Sequence, residues 1–165
     1  MDGILSDLID LMDQEIEAFR ELLDVLSEQQ RFIVQQRIED LRESVAEEEE
    51  LILRMRDLER DRASKAETLS DTLGIAPGKL TLAEIIQIVE DRYAVRLSEL
   101  RRGLLALMEK VKNTNAVNQF LLQQGLRFVE SNIQLLTGGE ALGSRYVLTG
   151  RVAASGGRQV VDRVI

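Results

Sequence analysis

The chain has 165 residues, enough for one domain and a terminal extension. Scarce aromatics, a single proline and an abundance of Leu, Ile, Val, Glu and Arg are the composition of long helices, not of a sheet protein. A formal charge of −8 argues against nucleic acid as the main partner, and the absence of Cys and His removes disulfides, thiol nucleophiles, imidazole bases and the common zinc sites.

No basic segment followed by an apolar run opens the chain, and no apolar run approaches the ~18 residues that would span a bilayer. A cytoplasmic protein with no membrane insertion and no cofactor is expected.

The first helix is expected over residues 2–33, with Asp2 as N-cap. Leu5, Ile9, Met12, Ile16, Phe19, Leu23, Leu26 and Ile33 hold a four–three rhythm, with Gln30 its one polar member. Asp7, Asp10, Asp13, Glu17 and Glu21 occupy the other face. A new stripe then appears at Val34, Ile38, Leu41, Val45, Ile52 and Met55, slipped by one residue or about 100° around a helix. The slip predicts a tight helix–helix turn near 33–37. No Gly or Pro marks it, so one continuous helix is the alternative.

The second helix is expected over 37–73. Gly74 is a left-handed C-cap, Ile75 packs back on Leu69 as in a Schellman end, and Pro77-Gly78 complete the turn. Glu47, Glu48, Glu49 and Glu50 are consecutive, so they point around the helix and cannot converge on one metal. They read as a solvated face.

The third helix is expected as one element from Thr81 to Thr137, roughly 85 Å long at about 1.5 Å per residue. Thr81 and Glu84 fit a capping box, Leu80 and Ile85 a hydrophobic staple, and Gly138-Gly139 a C-terminal stop. Gly103 and Gly125 inside it cost about 1 kcal/mol each against Ala. Its seam runs Leu82, Ile86, Val89, Tyr93, Leu97, Leu100, Leu104, Leu107, Val111, Asn115, Asn118, Leu122, Gly125, Val129, Asn132, Leu136. The first part is aliphatic; the second carries asparagines.

The expected fold is therefore all-α: an antiparallel bundle of three long helices over 1–137 with coiled-coil-like packing. Its third helix is longest, and 118–137 overhangs the first turn. The overhang carries Phe120, Leu121, Leu122, Leu126, Phe128, Val129, Ile133, Leu135 and Leu136, too much apolar surface to stay in water. The seam asparagines have two readings. Buried, they fix helix register; on the overhang, they hydrogen-bond a partner helix. Position favours the second for Asn118 and Asn132, and Asn115 falls at the junction.

Residues 138–165 hold six of the eleven glycines and four arginines against two acids, which leaves the body at −10. They are expected to be a mobile or conditionally ordered tail, with a hairpin at Gly156-Gly157 as the alternative. No hydroxyl has a base partner and no phosphate-binding glycine loop follows a strand, so an enzyme is not expected.

The segment Leu107-Met108-Glu109-Lys110-Val111-Lys112-Asn113-Thr114-Asn115-Ala116-Val117-Asn118-Gln119-Phe120-Leu121-Leu122 gives the chain a family likeness. So do the acidic Leu-rich first helix, the Leu58-Glu59-Arg60-Asp61-Arg62 end of the second, and the later Phe128-Val129 and Ile133. Over most of residues 4–146 the chain resembles the flagellar export chaperones of the hook-associated proteins, the FlgN-like family. The resemblance implies a cytoplasmic chaperone of type III flagellar secretion. Such a protein binds the C-terminal helical segments of the hook–filament junction proteins, prevents their premature assembly and delivers them to the export gate. It also implies client binding by Asn115, Asn118, Leu121, Leu122, Phe128, Val129, Ile133 and Leu136, and gate docking by Tyr146. The alternative is a homo-oligomeric coiled-coil scaffold or adaptor, in which a homodimer buries the overhang. A third reading has the tail folding onto the overhang as an autoinhibitory cover.

Overall fold

A computed structural model describes residues 1–75 and 80–137. Among them the chain is all-helical: α1 Asp2–Gln35, α2 Ile38–Leu73, α3 Leu82–Ile88 and α4 Asp91–Leu136. The described residues fall into two units, one up to Gln123 and one from Gln124 onward. The expected tail, with Tyr146, lies outside the described residues, as do Pro77 and Gly78.

The break near 33–37 is a turn, not a continuous helix. Gln36 takes the left-handed conformation, φ 57° and ψ 32°. Its N–H donates to the Ile33 carbonyl and the Arg37 N–H to the Phe32 carbonyl at 2.9 Å, the paired bonds of a Schellman end. A glycine would reach this conformation freely, whereas glutamine is strained there. Arg37 supplies the compensation. Its guanidinium forks onto the Asp40 carboxylate at 2.8 and 2.6 Å and stacks 5.0 Å over the Phe32 ring. Gly74 ends α2 with the same pair of bonds, to Asp71 and Ser70.

Cross-helix pairs fix the direction of packing within the first unit. Asp7 meets Lys65, Glu15 meets Arg62 and Glu21 meets Arg54, so α2 runs antiparallel to α1. Asp2 meets Arg92, Asp13 meets Arg96, and the Leu26 carbonyl meets Asn118, so α4 runs parallel to α1. With neighbours on two sides, α1 buries a face wider than one seam. Leu8, Ala18, Leu22 and Val25 are buried along with Leu5, Met12, Ile16 and Leu26, while Ile9, Phe19, Leu23 and Ile33 of the expected stripe are only half-buried.

The core has two parts. Leu5, Leu8, Met12 and Ile16 meet Leu69, Ile85, Leu97 and Leu100 in one. Leu22, Val25 and Leu26 meet Leu51 in the other, with Met55 and Val111 against them.

The expected single helix from Thr81 to Thr137 is corrected: Val89 is extended, φ −91° and ψ 165°, and separates seven-residue α3 from 46-residue α4. The third long helix is thus two elements, and the chain has four helices among the described residues. The Thr81–Glu84 capping box is present in both directions. Leu80, Leu82, Ile86, Val89 and Tyr93 all pack on the first core. Because the four–three rhythm runs through the break, periodicity does not register it. The acidic pair Glu90-Asp91 is the local signal: acids favour a helix N-terminus, and the Glu90 carbonyl accepts the first bonds of α4 from Tyr93 and Ala94.

No described helix is long and apolar enough to cross a membrane. Among the described residues no group of three or more acidic, His or Cys side chains could hold a metal.

Candidate binding face on the last helix

All eight candidate client-binding residues lie on α4, in two environments. In the first unit, Asn115 and Leu121 are half-buried and Leu122 is exposed. Asn118 is 3% exposed and its amide donates to the Leu26 carbonyl at 2.8 Å. That carbonyl belongs to the backbone of α1, so the bond fixes how far α4 has slid along α1. Asn118 therefore occupies the register-fixing position, not the exposed one. Its Oδ1 has no hydrogen-bond partner, a desolvation cost that buried amides bear when they specify register.

In the second unit, Phe128, Val129, Ile133 and Leu136 are all exposed, up to 87% at Leu136. Leu126 and Leu135, absent from the selected set, are as exposed as these, at 65% and 78%. Their signal was apolar character within a helix lacking polar alternation, which a single-seam reading passes over. The seam that buries Leu97, Leu100 and Asn118 continues along the same helix as Leu122, Val129 and Leu136, where it meets solvent.

Charge is nearly absent from this stretch. Between Asn113 and Thr137 the only ionisable side chains are Arg127 and Glu130, although 30% of the whole chain is charged. Single exposed apolar residues are ordinary, but a contiguous uncharged apolar stripe marks an interaction surface.

Elsewhere in the first unit two of the acidic side chains are taken up by neighbouring helices. A cleft of about 250 Å³ is lined by Phe19, Ile52, Met55, Leu104 and Met108, with Glu15 and Arg62 at its edge. Arg62 Nε donates to both Glu15 oxygens, at 2.8 and 3.1 Å. Glu48, one of the four consecutive glutamates, accepts from Gln29 at 2.8 Å.

An all-helical body with an uncharged apolar face on its last helix is a build suited to holding another helix. The family model for the FlgN protein matches residues 1–153, and the chain belongs to that family, the flagellar export chaperones. It is a chaperone family, not an enzyme family. No curated protein and no solved structure gives a match.

Proposed function

We propose that this chain is a cytoplasmic chaperone of flagellar type III secretion that captures the C-terminal helical segments of the hook–filament junction proteins. It shields them from premature assembly and delivers them to the export gate. The exposed, uncharged apolar stretch of α4 carries this reading. Each such side chain withdrawn from water contributes about 1.5–3 kcal/mol before the costs of association. An amphipathic client helix gains in the same way, and its own sticky face is hidden while it is held.

Division of labour follows. Residues 1–123 form the folded body, with α4 pinned to α1 at Asn118 and by Asp2–Arg92 and Asp13–Arg96. Leu122, Phe128, Val129, Ile133 and Leu136 meet the client. Leu121 and Asn115 are half-buried within the first unit. In this reading Tyr146 serves the export gate, so Tyr146→Ala lowers export while leaving client capture unchanged.

Phe128→Asp tests the site. It is expected to abolish capture of a junction-protein C-terminal fragment with circular dichroism unchanged, because the side chain is already 67% exposed in the free chain. Undiminished capture by this variant contradicts the assignment.

A further inference from the structure

The bundle of the first unit is open along one side. α2 packs closely along α1, whereas α2 and α4 make no such run of close approaches. Between those two helices lies the cleft of about 250 Å³, floored by Phe19 of α1 and walled by Ile52 and Met55 of α2 and by Leu104 and Met108 of α4. Three helices that all met would bury these side chains. Here the first four are half-buried and Met108 is 46% exposed. Glu15 and Arg62 reach the cleft, but each is spent on the other at 2.8 Å. The volume lies below the ~300–1,000 Å³ of small-molecule pockets, so it suits the side chains of a docked helix, not a metabolite.

The rim sets the charge of what docks. Five basic side chains lie between Arg54 and Lys65 of α2; four make ion pairs, and Arg56, which lines the cleft, is the exception. On α4, Arg101 and Lys112 stand seven residues before Met108 and four after it, on the same side of the helix, and both are exposed. Neither makes an ion pair among the described residues. Against these three cations the lining holds one uncommitted acid, Glu59. In a chain of net charge −8 the cleft is thus an apolar floor inside a locally positive edge. We propose that it is a docking site for an acidic amphipathic helix of a partner protein, formed by residues other than the client-binding set and independent of that assignment. The helix lies between α2 and α4, sets apolar side chains one turn apart onto Phe19, Met55 and Met108, and presents carboxylates to Arg56 on one rim and to Arg101 and Lys112 on the other. A second copy docked cleft to cleft would set these cations against themselves.

The probe is a fluorescein-labelled amphipathic peptide with Leu at i, i+3, i+4 and i+7 and Glu on the flanks, stapled because short helices are marginal in water. Its Lys-flanked counterpart is the control, and anisotropy with the full chain reads binding. The Glu peptide is expected to bind at least about tenfold more tightly than the Lys peptide and to weaken as salt is added. Arg56→Glu combined with Arg101→Glu is expected to weaken it by about tenfold or more, and so is Met108→Asp alone. All three side chains are exposed, so circular dichroism of the variants stays unchanged. Equal binding of the two peptides overturns the proposal. So does absence of binding, or binding that neither variant alters, which would place the peptide on another face. A self-associated chain that Met108→Asp dissociates also overturns it and assigns the cleft to a second copy.

Discussion

Gln36 sits in a left-handed conformation that glycine prefers, and only Arg37, clamped on Asp40 and Phe32, offsets the strain. Gln36→Gly is therefore expected to stabilise the fold by up to about 1 kcal/mol, read as a raised midpoint in urea. An unchanged or lowered midpoint contradicts the strain. At Thr81 the backbone N–H and then the hydroxyl donate to Glu84, and these bonds hold its carboxyl below the ordinary 4.5. A depressed carboxylate lends stability above its unfolded pKa and loses it as pH falls through the lower folded value. The stability difference between the natural chain and Glu84→Gln is thus expected to be full above pH 4.5 and to shrink below it. Thermal melts along a pH series check this, and a constant difference contradicts it.

At the scale of elements, the buried Glu15 joins α1 to α2 through Arg62, between two apolar core parts. Arg62→Ala leaves a buried carboxylate alone and is expected to cost about 3–5 kcal/mol. The double change Glu15→Met with Arg62→Met is expected to restore most of that, as denaturation of the two variants shows. A Cβ added at Gly103 would sit 3.6 Å from Ile16 Cδ1, an ordinary van der Waals contact, so Gly103→Ala is expected to stabilise α4 by about 1 kcal/mol. Element type and the α1 and α2 ends were legible in the sequence, because caps and periodicity are local. The capping box at Thr81 and the Gly74 end appeared where residue types placed them. The break at Val89 was not legible, because it leaves the four–three rhythm in phase and is marked only by Glu90-Asp91. The burial of Asn118 was not legible either. A polar seam residue reads the same whether a partner helix or its own α1 accepts the bond, and only the tertiary contact to Leu26 separates the two.

For the whole molecule, the chain belongs to the flagellar export chaperones, and the proposed holding of an apolar helical client rests on the uncharged apolar stretch of α4. The candidate face was legible as far as apolar character reaches. Leu122, Phe128, Val129, Ile133 and Leu136 are exposed, as are Leu126 and Leu135, whereas the half-buried Asn115 and Leu121 and the buried Asn118 of the same helix show that apolar or amide character alone does not give exposure. Co-expression of this chain with a junction-protein C-terminal fragment, followed by pull-down and light scattering, tests the central claim most directly. The account predicts a one-to-one complex that Phe128→Asp abolishes. No capture, with a self-associated species that the same substitution breaks apart, would contradict it and identify the chain as a homo-oligomeric scaffold.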